Sequence, residues 1–289
     1  MSIQWYPGHI AKARREIREH LKEVDIVIEV VDARCPYSSI NFLYDELKNK
    51  KRLIVVNKYD LADKEVLKDF NKAGIEKYSN TKFDGDILFL DSRNNSIKKV
   101  VDKKIDSLLN SINVKNTNKG IVNTVYKAMV VGMPNVGKST FINSYVKKKV
   151  NKVENTPGVT KALKWTKISD KLLLLDTPGV TTKKFENDNI GINLALVGSI
   201  NDDIIEKQDL AFEFISKIKS RYFELLKKRY KLIETNKDSD SLDILNEIAS
   251  KTNSLKKGGE YNYDKVSNLI INDFRKGTLG NISLEEWYG

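Results

Sequence analysis

A chain of 289 residues with 40% hydrophobic composition accommodates one large or two ordinary domains and can fill a core, which excludes a disordered chain. Its formal net charge of +11 admits a polyanionic partner, although a general richness in Lys and Asn explains the same number. One cysteine, Cys35, excludes an intramolecular disulfide and fits a reducing compartment; with no apolar run of membrane-spanning length and no leader-like N-terminus, a soluble cytoplasmic protein is expected.

In chain order, Trp5-Tyr6-Pro7-Gly8-His9 reads as a turn before a basic helix from Ala11 to about Lys22. Its Lys12, Arg14, Arg15 and Arg18 form either a solvated face or an anion-binding one. Val24–Val31 is apolar enough for a buried parallel strand, and it ends in the polar loop Asp32-Ala33-Arg34-Cys35-Pro36. Ser38 or Ser39 is placed to cap a helix to about Lys50. Arg52–Val56 is a second strand and runs into Asn57-Lys58-Tyr59-Asp60, an N-K-x-D pattern. A carboxylate at Asp60 accepts from the ring N–H and exocyclic amino group of guanine, a donor pair that adenine lacks. Asn57 then ties the loop to the phosphate side, and the Lys58 stem covers the base. The other reading is a plain strand-to-helix turn capped by Asp60.

A helix from about Lys64 to Ala73 is expected to stop at Gly74. Ile87–Leu90 is a third strand and leads into Asp91-Ser92-Arg93, where Ser92, through its backbone N–H, and Arg93 are candidates for contact with guanine. Ile97–Ile112 has helical periodicity, and Lys115–Gly120 reads as a linker.

Ala128–Val131 is a β-prone strand before Gly132-Met133-Pro134-Asn135-Val136-Gly137-Lys138-Ser139-Thr140, a full G-x-x-x-x-G-K-[ST] phosphate loop, and a helix follows. Backbone N–H groups of Asn135, Val136, Gly137 and Thr140 would cradle phosphates, Lys138 would reach the β- and γ-phosphates, and the Ser139 hydroxyl would take Mg²⁺. Asn135 occupies the position at which K⁺-activated GTPases carry an asparagine, or is an ordinary variable loop residue. Downstream, Thr160 offers a second hydroxyl to Mg²⁺. A hairpin around Ser169-Asp170 leads to Asp176-Thr177-Pro178-Gly179, a D-x-x-G in which Asp176 supports the metal and the Gly179 N–H meets the γ-phosphate.

A phosphate loop, a Mg²⁺ threonine, D-x-x-G, N-K-x-D and a serine loop, each at a strand end, together predict a GTPase. The guanine loops precede the phosphate loop, the reverse of the ordinary order, so the domain is predicted to be circularly permuted. The predicted fold is α/β: a permuted P-loop (Ras-like) GTPase domain with a parallel-rich sheet over residues 1–184, followed by an all-α C-terminal domain over 185–289. The C-terminal part has 15 Lys+Arg against 18 Asp+Glu, so the positive balance sits on the GTPase part. A basic cluster within it, Lys217 to Lys231 with Tyr222, Phe223 and Tyr230, is either an RNA surface or an amphipathic helix whose aromatics enter the core.

With these motifs in place, the chain resembles the YlqF/RbgA family of circularly permuted GTPases, the ribosome biogenesis GTPase A type. The match includes Trp5–Ala13, Asp32-Ala33-Arg34, Asn262–Lys265 and Gly280–Glu285. The resemblance implies GTP hydrolysis late in assembly of the large ribosomal subunit, stimulated by the particle, with the subunit precursor and its rRNA as partners and no membrane. It also implies a catalytic role for His9: Val180 stands where Ras-like enzymes carry a water-orienting Gln, and a neutral imidazole can hold water instead. His20 is expected on a helix surface. Two rivals are a nucleotide-gated RNA-binding placeholder, favoured by Val180, and an ATP-dependent enzyme, opposed by Asp60.

Overall fold

The computed structural model describes residues 15, 17–40, 47, 49–79, 82–94, 96–117, 125–146, 164–177, 188–201 and 205–285. Six strands form one sheet: β1 (Ile26–Asp32), β2 (Lys51–Asn57), β3 (Gly85–Phe89), β4 (Tyr126–Gly132), β5 (Lys164–Ser169) and β6 (Leu172–Asp176), in the order β3-β2-β1-β4-β6-β5. All pairings are parallel except that of β5 with β6. Parallel strands feed their C-terminal ends to one edge, where α/β sheets bind ligands. Taken from β4 through β6 and then from β1 through β3, the strands succeed one another as in an unpermuted GTPase, phosphate loop first and guanine loops last.

Alternation along β2 shows why the strands are so apolar. Leu53 and Val55 face the main core, while Ile54 and Val56 face a second cluster built on Tyr37, Phe70 and Phe83. Burial on both faces removes the need for polar residues at every second position. The exception is Glu29 in β1, fully buried beside Arg52 of β2, whose guanidinium also lies over the Phe83 ring. Burial raises the Glu29 carboxyl and Arg52 opposes that rise.

The α-helices whose bounds fall within the described residues after β1 are α1 (Pro36–Ile40), α2 (Lys64–Leu67), α3 (Lys72–Ser79), α4 (Ile97–Thr117), α5 (Lys138–Val146), α6 (Asp188–Leu196), α7 (Lys207–Tyr230), α8 (Ser241–Lys251) and α9 (Tyr263–Lys276). Among the described residues no strand follows Asp176, and no helix is long and apolar enough to cross a membrane. The main core runs without a break from the sheet into α6, α7, α8 and α9, where Phe214 and Phe274 pack at 4.8 Å. Before the sheet, residues 17–21 are helical, with Ile17 and Leu21 buried. His20 on that helix is half-buried rather than a plain surface residue.

Several local expectations change. Ser38 and Ser39 lie inside α1 rather than capping it, because the helix begins at Pro36, whose missing N–H costs nothing in a first turn. Gly74 does not end a helix. Lys68–Asn71 breaks the run into α2 and α3, and Gly74 sits within α3 with its N–H on the Asn71 side chain. A Cβ there would come 2.2 Å from the Tyr37 hydroxyl, so packing, not a turn, requires this glycine. The expected linker at Lys115 begins later, since α4 continues to Thr117. Tyr222, Phe223 and Tyr230 are buried in the core and cannot stack on RNA bases, while Arg221 and Arg229 are ion-paired to Asp63 and Asp273.

Candidate functional site

The N-K-x-D, the 91–93 loop, the phosphate loop and the described start of D-x-x-G follow β2, β3, β4 and β6 and leave the sheet at the same edge. The phosphate loop follows β4, whose neighbours are β1 and β6. The register sets Asp176 at the end of β6 beside Val130, two residues before Gly132. Gly132 must be glycine, because its φ is +155° and a Cβ would lie 2.4 Å from the Val30 carbonyl of β1.

Asn57 joins three loops. Its Nδ2 donates to the Val136 carbonyl at 2.8 Å, and its Oδ1 accepts from the Ser92 N–H at 2.9 Å. The base loop, the phosphate loop and the 91–93 loop are thereby locked to one buried side chain. Ser144 of α5 adds a bond to the Ser92 carbonyl at 2.6 Å. The Ser92 N–H, the group assigned to guanine from the sequence, is engaged by Asn57 in this arrangement. The Ser92 Oγ is buried without a protein partner.

Lys58 adopts a left-handed conformation, φ 59°, which turns its side chain back over the site. Its Nζ donates to Asp32 Oδ2 at 2.9 Å and to the Asn135 carbonyl at 2.6 Å. Asp32 also accepts from Arg34 Nε and Nη2 at 2.9 and 2.8 Å, and both side chains are essentially inaccessible to water. Burial alone would raise this carboxyl, but Arg34 and Lys58 outweigh it and hold Asp32 well below the usual carboxylate range. Breaking such a pair from one side strands a buried charge, which costs about 3–5 kcal/mol.

Asp60 is one third exposed. Its Oδ2 accepts from Arg93, which also pairs with Asp91, and its Oδ1 is buried without a partner among the protein groups. A carboxylate oxygen left in that state suits a ligand that brings N–H donors, as guanine does. Asp91 and Asp60 together hold the Arg93 guanidinium above its ordinary pKa.

Lys138 is folded back into its own loop, with Nζ on the Gly132 and Met133 carbonyls at 2.9 and 2.7 Å. Burial pushes its ammonium down to about 8, against the pull of Asp176. A lysine with a depressed folded-state pKa costs stability while it is charged. That cost is complete below about 8 and is relieved as pH rises from there toward the unfolded value. A phosphate chain would reverse the shift, so nucleotide binding is expected to take up a proton above that pH. Affinity should then fall by up to roughly tenfold per pH unit. Calorimetry in buffers of different ionisation enthalpy measures this; proton release, or no proton exchange at pH 9, contradicts it.

Ser139 and Thr140 lie in the first turn of α5, and Asp176 is near enough to Lys138 to act on its charge. Hydroxyl and carboxylate oxygens are the hard donors Mg²⁺ takes. Among the described residues no three His, Cys, Asp or Glu side chains form a metal cage, and Mg²⁺ needs none where substrate phosphates complete its shell. His9, Thr160 and Gly179 lie outside the described residues.

Sequence reasoning marked Asp32 and Arg34 as a polar strand end without giving either a role, and passed over Arg275. Arg34 Nη1 donates to the Phe274 and Arg275 carbonyls, each at 3.4 Å, and its guanidinium lies over the Phe274 ring. The available signal was Asp and Arg two residues apart at the end of an apolar strand. Nothing local names their partners more than two hundred residues away.

Comparison with known proteins agrees with this geometry. A family described as "50S ribosome-binding GTPase" matches residues 127–247. That stretch begins in β4, so the N-K-x-D at 57–60 falls upstream of it, as permutation requires. The chain is 43% identical to "Ribosome biogenesis GTPase A" of Bacillus licheniformis, covering 99% of each protein. It is 34% identical to "Mitochondrial ribosome-associated GTPase 1" of Ictalurus punctatus, covering 97% of this chain and 92% of that one. The crystal structure of GNP-bound YlqF from T. maritima superposes with a TM-score of 0.61 at 25% identity, covering 95% and 98% of the two chains.

Proposed function

This chain belongs to the ribosome biogenesis GTPase A family, a group of GTP-hydrolysing enzymes, and from that premise we propose that it acts in late maturation of the large ribosomal subunit, with turnover stimulated by the subunit precursor. The observation that carries the site reading is Asn57, which fixes the base, phosphate and serine loops around one point. The large subunit is supported by the matching family's description as a 50S ribosome-binding GTPase. The partners are the subunit precursor and its rRNA, and the compartment is the cytoplasm.

Asp60, Asn57, Lys58, Ser92 and Arg93 read guanine. Binding exchanges the Arg93 contact on Asp60 for the two N–H donors of the base, and Asp91 retains Arg93. Engagement of guanine O6 by the Ser92 N–H requires that amide to leave Asn57. The N–H groups of Asn135, Val136, Gly137 and Thr140 cradle the phosphates with Gly179. Lys138 exchanges two loop carbonyls for phosphate oxygens and keeps its proton there. Ser139, Thr160 and Asp176 would hold Mg²⁺, which when bound neutralises charge on the β- and γ-phosphates. A K⁺ ion at Asn135 would add to that neutralisation. His9 orients the attacking water, the task that Val180 cannot perform.

Turnover measured with and without large-subunit precursor tests this reading. The wild type alone is slow and accelerates by roughly a hundredfold, a gain suited to one positioned catalytic group. His9→Ala binds GTP normally but does not accelerate. If the precursor leaves the wild-type rate unchanged, hydrolysis is incidental and the chain is a nucleotide-gated placeholder. Equal rates in K⁺ and Na⁺ remove the cation from Asn135.

A further inference from the structure

Asn135 is held on two sides, and both holds lead to the same residue of the last long helix. On one side its Nδ2 donates to the Gly198 carbonyl at 2.6 Å, next to a bond from Ser199 Oγ to the Pro134 carbonyl at 2.8 Å. Gly198 follows α6 in the left-handed conformation, φ +78°, and its N–H closes on Ala195 while the Ser199 N–H closes on Leu194. That cap places the Gly198 carbonyl against the phosphate loop. Arg275 Nε and Nη2 take the Leu196 and Ala195 carbonyls at 3.0 and 2.8 Å, with the guanidinium packed against Gly198. Cationic groups at a helix C-terminus satisfy carbonyls that have no partner within the helix.

On the other side the Asn135 carbonyl accepts from Lys58, Lys58 pairs with Asp32, Asp32 with Arg34, and Arg34 donates to the Arg275 carbonyl. The contacts close a ring: Arg275, the end of α6, Gly198, Asn135, Lys58, Asp32, Arg34 and back to Arg275. Asp32 and Arg34 are fully buried, so the pair between them is the strong link of the ring and is costly to break. The end of α9 is fixed in turn by Gly277, φ +75°, where a Cβ would come 2.6 Å from Leu61 just after the N-K-x-D.

We infer that Arg275 is a positioning residue for nucleotide binding: it touches no nucleotide group, but seats the α6 end against Asn135 and so sets the shape of the phosphate loop from the helical layer. The inference rests on the reading that residues 132–140 hold the phosphates. It makes nucleotide retention sensitive to whatever binds the helical layer, because displacing α9 opens the ring at Arg275. Linkage then works in both directions: a bound nucleotide stiffens the attachment of α9.

The test is the dissociation rate of a fluorescent GDP from the full chain, in Na⁺ buffer so that a cation at Asn135 does not enter. Arg275→Ala is expected to release the nucleotide about tenfold faster, and Asn135→Ala faster by a similar factor. Both act through Gly198, so the double variant should be no faster than the faster single one. Arg275→Lys, which keeps the charge but lacks the two-pronged donor, should fall between wild type and Arg275→Ala. Arg229→Ala removes an ion pair to Asp273 on the same helix, and is expected to lower the melting temperature without changing the release rate. Fold-changes that multiply in the double variant overturn the inference, as does an Arg275→Ala that loses stability like Arg229→Ala and releases nucleotide at the wild-type rate. If Arg275→Ala does not fold, a release rate for Arg275→Lys equal to that of the wild type overturns it. A wild type that fails to bind the probe overturns the site reading itself.

Discussion

Gly137→Ala is expected to lose guanine nucleotide binding by about a hundredfold or more while the chain still folds. Gly137 has φ +97°, and a Cβ there would lie 2.3 Å from Asn57 Nδ2. Two costs combine. A side chain in the left-handed region costs roughly 1–2 kcal/mol. The collision also forces Asn57 off the Val136 carbonyl, and an orphaned buried polar group costs about 1–3 kcal/mol. At about 1.4 kcal/mol per decade, the sum of about 2–5 kcal/mol removes roughly one and a half to three and a half decades of affinity if it falls on the binding-competent loop, centred above a hundredfold. The core escapes, because Gly137 lies at the sheet edge and not among the clusters that bury the strands. Equilibrium titration with fluorescent GDP beside a thermal melt checks both halves. Affinity within a few-fold of wild type would mean that Asn57 does not organise the site.

The same residue shows what could be seen in the chain alone. Asn57 stands out because N-K-x-D ends an apolar run, and the phosphate loop stands out because its glycines and lysine keep a fixed spacing between a strand and a helix. Strands β1, β2 and β4 were legible for a related reason: burial on both faces favours long apolar runs, whereas β3, at the sheet edge, is only partly buried. The permutation was legible too, since motif order is a property of sequence.

Other features depend on distant contacts that leave no local trace. Ser38 looks like a helix cap, but its N–H and that of Tyr37 are taken by the Glu285 carboxylate, 247 and 248 positions away. Gly74 looks like a stop, yet it answers to the Tyr37 hydroxyl. The aromatics of α7 sit among basic residues, and the pattern leaves open whether they stack on bases or fill a core. The structure assigns them to the core, with Tyr222 and Tyr230 hydroxyls on Asp63 and Asp273. Asp32 and Arg34 are legible as a polar strand end, but their work lies in joining Lys58 to the end of α9.

This tie between the chain's two ends has a mechanical meaning. The last described residues lie along the loops that follow both upstream motifs: the Ile282 N–H on the Leu61 carbonyl, Ser283 Oγ on the Asp63 N–H, and the Leu284 N–H on the Arg34 carbonyl. These loops are braced by the segment that ends the helical layer, so the helical layer and the base-reading loops share one set of hydrogen bonds.

The second large effect concerns the base. Asp60 offers two acceptor oxygens, one of them buried without a protein partner, and guanine offers two N–H donors. Asp60→Asn replaces one acceptor with a donor, which faces the guanine amino group and repels it. Xanthine carries a carbonyl at that position, so the same asparagine donates to it and still accepts from the ring N–H. A site built around hydrogen bonds rejects the mismatched base by several decades, and about a thousandfold loss of GTP is expected. The fold should tolerate the change, because the Arg93 pair with Asp60 is exposed on the arginine side and Arg93 keeps its bonds to Asp91. Competition of GTP, ATP and xanthosine triphosphate for the wild type and for Asp60→Asn therefore tests most directly whether residues 57–60, upstream of the phosphate loop, read guanine. The predicted result is GTP preference in the wild type and xanthosine triphosphate preference in the variant, with ATP weak in both; an unchanged preference in Asp60→Asn, or ATP competing as well as GTP, would contradict it.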